Sequence, residues 1–110
     1  MVIINANLDS RYIEEPCIFK TYCKCKNKVC KVIVSNGVFS NFVSIEMVKK
    51  LNFPRIMHER PYRAHGINVA DQAEVTEQAQ VHFSIGKYED ILWCDIIPIV
   101  DCHLIFGRAW

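Results

Sequence analysis

The chain has 110 residues, of which 51% are hydrophobic and 23% are charged, and its formal net charge is +1. This length suits one small domain, and the near-neutral charge argues against a general nucleic-acid binder or a membrane-surface protein. No apolar run reaches the roughly 18 residues that would span a membrane.

The N-terminal segment 1–16 mixes apolar and charged residues without a clear period and ends in Glu14, Glu15 and Pro16. We interpret it as a leader or linker that holds at most a short strand over residues 2–4. It lacks the basic region and apolar length of a signal peptide. Six cysteines without such a signal favour reduced thiols, so we expect an intracellular, most simply cytoplasmic, protein.

Two strand-like runs follow, over residues 18–23 and 29–34, and Asn27 lies at the bend of the polar connector between them. The pattern predicts a β-hairpin. The hairpin also leaves two binding functions open. Its thiols could supply zinc ligands, although their spacing does not complete the usual paired pattern, and its lysines could contact RNA, although few aromatic residues accompany them. The residues concerned are Cys17, Cys23, Cys25 and Cys30 for zinc, and Lys20, Lys24, Lys26, Lys28 and Lys31 for RNA.

The second run leads into a corner formed by Ser35, Asn36 and Gly37. Asn-Gly favours a tight turn because both residues tolerate positive φ. A buried strand that ends in a turn is a common place for a reactive side chain, because the strand positions it. Ser35 as a nucleophile would need an adjacent base, and the nearby sequence offers none.

A short helix is predicted over residues 44–51. Ser44 suits the N-cap, Glu46 lies in the first turn, and Lys49 and Lys50 lie in the last turn, where their charges complement the helix dipole. After it, residues 80–85 alternate polar and apolar side chains, and a loop over residues 86–90 leads to a returning strand over 91–97, which predicts a second hairpin.

Three histidines are further candidates for acid–base chemistry. No nucleophile or carboxylate lies near His58 or His65 at a sequence spacing typical of a catalytic pair. Cys102 and His103 are adjacent, and adjacent residues on a strand point to opposite faces, so we interpret this pair as structural.

Several of these segments together resemble the retropepsin family, the aspartic proteases of retroviruses and of gypsy-type long-terminal-repeat retrotransposons. The resemblance covers about residues 17–110 and is carried by motifs in the family's order. They are Ile33-Val34 with Gly37, Asn41, Val43 and Ser44; Met47 to Leu51; His58 with Arg60, Pro61 and Tyr62; Phe83 to Tyr88; Trp93-Cys94-Asp95 with Pro98; and Gly107-Arg108.

The resemblance implies an all-β fold, a small closed barrel of the retropepsin (acid protease) type with one short helix. It implies a polypeptide partner in a substrate-like groove and no metal or cofactor. A flap is implied from about Ala64 to Val75, with its tip near Asn68–Asp71. The flap residues expected to bind substrate are Gly66, Ile67, Asn68, Val69, Ala70 and Asp71. The family's C-terminal helix and dimer strand would lie beyond residue 110, so we expect the domain to lack them and a homodimer to be doubtful.

The catalytic motif itself departs from the family. The family pattern is Asp-Ser/Thr-Gly, and this chain has Ser35, Asn36 and Gly37 at those positions. Aspartic proteases use two carboxylates that share one proton, so a serine hydroxyl cannot supply the chemistry. We therefore expect an aspartic-endopeptidase-like domain that is catalytically inactive. The alternative is a non-catalytic peptide-binding or self-association module, and the zinc or RNA module comes third.

Overall fold

The computed structural model describes residues 2–4, 18–35, 38, 40–66, 69–100 and 102–107. This part of the chain is mostly β-structure with one short helix. The elements in chain order are β1 (Val2–Ile4), β2 (Ile18–Cys25), β3 (Lys28–Ser35), β4 (Phe42–Ser44), α1 (Ile45–Leu51), β5 (Arg55–Gly66), β6 (Val69–Ile85), β7 (Tyr88–Ile97) and β8 (Leu104–Phe106).

Six of these strands form a closed barrel. They are hydrogen-bonded in the order β2–β3–β8–β4–β7–β6, and the bridge between Lys24 and Ser84 joins β6 back to β2. β5 extends from β6 outside this ring, and β1 pairs with the end of β5. The prediction of an all-β fold, a small closed barrel with one short helix, is confirmed at this level.

In each of the two hairpins that the sequence predicts, a tight turn connects the two strands. Lys26 and Asn27 connect β2 to β3 with φ angles of 49° and 67°, the paired left-handed conformation of a type I′ turn. Gly86 has a φ of 59° in the turn from β6 to β7. Because this glycine allows a two-residue turn, residues 88–90 belong to β7, and the predicted loop over 86–90 is too long.

The helix lies where the sequence predicts it. The Ser44 side chain accepts a hydrogen bond from the Met47 backbone N–H at 3.0 Å, and Asn52 ends the helix in a left-handed conformation. Met47 and Val48 are buried against the barrel. In the part of the chain that the structure describes, no helix is long and apolar enough to cross a membrane.

Alternate residues of the barrel strands contribute to two separate hydrophobic cores. Val32 and Leu104 face the barrel interior, whereas their neighbours Ile33 and Ile105 face the opposite side. That outer side is covered by the end of β5 and the start of β6, where Ala64 pairs with Ala73. The second core consists of Ile33, Val38, Phe42, Ala64, Ala73, Val75, Ile97, Cys102 and Ile105.

Candidate functional site

Ser35 lies at the last position of β3 and is 3% exposed. Side chains two residues apart on a strand share a face, so Ser35 lies on the same face as Ile33, which packs in the second core. The sequence therefore placed this residue correctly at the end of a buried strand. Asn36 and Gly37, the other two positions of the motif, lie outside the described residues.

The loop that follows Ser35 is held by the end of β8. β8 lies between β3 and β4, parallel to the first and antiparallel to the second, so the β3–β4 connection crosses its end. The Gly107 backbone N–H donates to Asn41 Oδ1 at 2.9 Å. A Cβ atom on Gly107 would lie 2.1 Å from the Val38 carbonyl oxygen and 2.6 Å from that of Ser40. This close approach fixes the loop next to Ser35.

The predicted flap corresponds to the β5–β6 hairpin. Ala64 pairs with Ala73, and Gly66 pairs with Val69. The predicted flap residues Ile67 and Asn68 lie outside the described residues. The other predicted flap residues, Val69, Ala70 and Asp71, belong to strand β6.

The end of β5 and the start of β6 pack against the barrel face that carries Ser35. Ala64, Ala73 and Val75 are buried in the second core together with Ile33 of β3. The structure thus brings the predicted flap hairpin and the strand of the predicted catalytic position to one side of the barrel.

A buried carboxylate lies on the same side of the barrel, and the sequence analysis missed it. Asp95 in β7 is 3% exposed. Gln78 Nε2 donates a hydrogen bond to its Oδ1 at 2.8 Å, the Tyr62 hydroxyl donates to its Oδ2, and His58 Nε2 lies 3.4 Å from Oδ1. We call Asp95, Tyr62, Gln78 and His58 the Asp95 cluster. It connects the β5–β6 hairpin to the barrel.

The protonation state of Tyr62 suits its hydrogen bond to Asp95. Burial, followed by the hydrogen bond to the Asp95 carboxylate, raises the pKa of Tyr62 far above its ordinary value. The phenol therefore stays protonated and donates to the carboxylate. The side chain of Ser40, in the β3–β4 loop, hydrogen-bonds to the same phenol. The cluster thus also contacts the loop next to Ser35.

Asp95 does not stand beside Ser35. The pairings place Ile33, Ile105, Phe42 and Asp95 in one row across β3, β8, β4 and β7. Three strand spacings separate the ends of this row, or roughly 14 Å along the sheet. One signal of this residue is visible in the sequence, a single acid within the apolar run Ile91–Ile97. A lone acid there indicates a buried, partnered carboxylate.

The thiols of the first hairpin lie in the barrel core. Cys23, Cys25 and Cys30 are buried there as free cysteines, and Cys17 lies outside the described residues. Among the residues that the structure describes, no group of three or more His, Cys, Asp or Glu side chains is arranged to hold a metal ion.

His103 and His65 are the remaining histidine candidates. Cys102 is buried in the second core, whereas the His103 side chain is exposed and its Nδ1 accepts a hydrogen bond from the Lys31 backbone N–H at 2.9 Å. These two therefore do not form a dyad. His65 belongs to β5, and its side chain lies outside the described part.

No protein-family model matches this chain, and a search of the curated proteins finds no match either.

Proposed function

We propose that this chain is a retropepsin-like domain, of the kind found in gypsy-type retrotransposon polyproteins, in which the aspartic-endopeptidase chemistry is lost. One observation carries the proposal. Ser35, at the position that the resemblance gives to the catalytic Asp, is buried at the end of a barrel strand, on the face covered by the β5–β6 hairpin. The location suits a reactive group, but the side chain there is a neutral hydroxyl.

The chemistry needs more than a well-placed oxygen atom. In an aspartic protease two carboxylates about 3 Å apart share one proton, so that one activates water while the other donates to the carbonyl. Two copies of this chain would bring together two hydroxyls. Proton transfer by a positioned side chain contributes about 10²–10⁴-fold in rate, and both partners would be missing.

Asp95 does not replace the missing carboxylate. Both of its oxygen atoms already have partners, Gln78 and His58 at Oδ1 and Tyr62 at Oδ2. It also lies across two intervening strands from β3. In the described part of the chain it is the one buried acid.

An exposed strand edge favours a second candidate, a non-catalytic module that binds an extended polypeptide. Within the described residues, the outer edge of β5 pairs with β1 only over Ala64–Gly66. Ile56 and Met57 on the free stretch are 46% and 69% exposed. An exposed edge with apolar side chains is a template for strand addition, in which main-chain hydrogen bonds supply the affinity.

The proposal is tested by cleavage of an unfolded protein substrate at mildly acidic pH. The natural chain is compared with Ser35→Asp and with Ser35→Asn, which has nearly the same shape but no charge. We expect no cleavage by the natural chain or by Ser35→Asn. Cleavage by Ser35→Asp that an aspartic-protease inhibitor stops would mean that two copies still assemble the site and that this one residue removed the chemistry. A buried carboxylate in Ser35→Asp could lower the free energy of unfolding. Thermal unfolding at the assay pH therefore checks that each variant is folded.

Inhibitor-sensitive cleavage by the natural chain would contradict the proposal. If the folded Ser35→Asp variant is also inactive, titration of labelled extended peptides against the chain tests the second candidate. Replacing Met57 by Lys on the free edge of β5 should then weaken peptide binding, whereas Tyr22→Lys, an equally exposed site on β2, should not.

A further inference from the structure

Three thiols lie together at the end of the barrel next to the β2–β3 turn. Cys23 and Cys30 stand directly opposite each other in the antiparallel ladder. The Sγ atoms of Cys23 and Cys25 are 3.9 Å apart. All three are free and buried, and the Cys30 Sγ also lies 3.7 Å from the Lys28 carbonyl oxygen.

Pockets open beside two of the three thiols, and the larger of these two pockets adjoins Cys30. Its volume is about 330 Å³, and it lies between the start of β3 and helix α1. Cys23 lines the other pocket, of about 260 Å³, and Cys25 lines neither. Lys28, Lys50 and His103 line it too, together with the acid Glu46. A small solute can therefore approach Cys30 from outside, through surroundings in which cationic groups outnumber acids.

The electrostatics of the cluster favour the thiolate at Cys30. Hydrogen bonds from Cys23 and Cys25 lower the pKa of Cys30, and the nearby His103 contributes in the same direction. Hydrogen bonds with Cys23 and Cys30, together with burial, raise the pKa of Cys25. The thiolate is the reactive form of cysteine. Of the three thiols, Cys30 is therefore the one whose pKa its surroundings lower, and it also lines the larger pocket.

We propose that Cys30 is an oxidation site for small hydroperoxides, and that Cys23 converts the oxidised Cys30 into a cross-strand disulfide. In the first step the Cys30 sulfur attacks one peroxide oxygen and the O–O bond breaks, which leaves a sulfenic acid and releases, after proton transfer, water from hydrogen peroxide or an alcohol from an alkyl hydroperoxide. In the second step the Cys23 sulfur displaces the hydroxyl group of the sulfenic acid, which leaves as water. Two thiols lose two electrons and two protons, and the peroxide is reduced.

The ladder geometry suits this bond. Opposite residues of an antiparallel pair have Cα atoms about 4.5–5.5 Å apart, and a disulfide accepts about 4.4–6.8 Å. Cys23 and Cys30 can therefore be bridged without separating β2 from β3. Cys25 is opposite Lys28 and stands diagonally from Cys30, which makes it the less favourable partner. The inference does not depend on the chemistry at Ser35.

The test is mass spectrometry of the native, reduced chain after treatment with hydrogen peroxide. We expect the loss of two hydrogen atoms and a linked peptide that contains Cys23 and Cys30. Cys23→Ser should stop at a sulfenic acid on Cys30, one added oxygen atom that dimedone labels. Cys30→Ser should abolish both products. Cys25→Ser should retain the Cys23–Cys30 bond, and Cys102→Ser, a buried thiol of the other core, is the matched control that should behave like the natural chain.

Three results would overturn the proposal. The first is a native chain that stays reduced at a peroxide dose that oxidises the same chain in urea. The second is a peptide map in which the oxidised residue is another cysteine. The third is a disulfide that disappears with Cys25→Ser. The peptide map of the natural chain decides the first two even if a serine variant does not fold.

Discussion

At the scale of single residues, the hydrogen side chain of Gly107 determines whether the β3–β4 loop can close. Replacing it by alanine would bring Cβ to within 2.1 Å of the Val38 carbonyl oxygen and 2.6 Å of that of Ser40. Both neighbours are backbone atoms, so the loop next to Ser35 must move. We expect Gly107→Ala to lower the free energy of unfolding by about 1–3 kcal/mol, as overpacking typically does.

Urea denaturation of Gly107→Ala measures this loss. Gly86→Asn is a suitable control, because Gly86 has open space around its Cβ position and asparagine tolerates the positive φ found there. The control should lose only a few tenths of a kcal/mol. Equal losses in the two variants would mean that the close approach to the loop does not limit stability.

Tyr62 supplies a second prediction at this scale. Tyr62→Phe leaves Asp95 buried with one donor fewer, so we expect a loss of about 1–3 kcal/mol at neutral pH. The loss should shrink as the pH rises above 10.0, the ordinary pKa of the phenol. The folded-state pKa is higher, so above pH 10 the unfolded natural chain releases a proton that the folded chain retains, and its advantage over the variant fades.

Thermal unfolding of the natural chain and of Tyr62→Phe, followed from neutral to alkaline pH, checks this sign. Tyr22→Phe serves as the control, because Tyr22 is 62% exposed and should change the stability little at any of these pH values. A difference between the natural chain and Tyr62→Phe that grows with pH would contradict the donor role assigned to Tyr62.

At the scale of elements, the β2–β3 turn ties sequence to structure most directly. Asn27 has a φ of 67°, and asparagine tolerates this left-handed conformation, whereas a β-branched residue does not. We expect Asn27→Val to destabilise the chain by about 1–2 kcal/mol and Asn27→Gly to be neutral or slightly stabilising. Chemical denaturation measures the free energy of unfolding of both variants. A valine variant as stable as the glycine variant would show that the turn conformation is unimportant.

Elements encoded by neighbouring residues were predictable, and contacts between distant segments were not. Asn27 at its turn and Ser44 at the N-cap are local signals, and both predictions are confirmed. The insertion of β8 between β3 and β4 joins segments about 70 residues apart, and no local pattern encodes it. The contact between Tyr62 and Asp95 depends on the same long-range packing, so the local pattern around Asp95 predicts a hairpin strand and not this contact.

The same distinction applies to the candidate site. The burial of Ser35 at a strand end follows from the local pattern of apolar residues before a turn, and the structure agrees with it. The packing of the β5–β6 hairpin over that face was expected from the family resemblance and not from periodicity. The retropepsin assignment itself stays a proposal that the Ser35→Asp comparison tests.

At the scale of the whole molecule, the two cores share their strands. Val32 and Ile33 are consecutive residues of β3, and one faces each core. β6 likewise contributes Val81 to the barrel core and Val75 to the second core, and both valines are fully buried. Loss of either core would therefore disturb strands that the other requires. This sharing predicts one cooperative unfolding transition instead of two.

Val75→Ala and Val81→Ala test this coupling as a matched pair on one strand. Each removes the same two methyl groups from a buried site, so we expect each to cost roughly 1–3 kcal/mol with an unchanged urea m-value. Far-UV circular dichroism should report secondary structure and near-UV circular dichroism tertiary packing, with coincident transitions in both variants.

If Val75→Ala instead gives an early transition that Val81→Ala lacks, the β5–β6 hairpin detaches while the barrel stays folded. The hairpin would then be a separately moving element above Ser35, and amide hydrogen exchange at Ala73 and Val75 would be faster than at Val81.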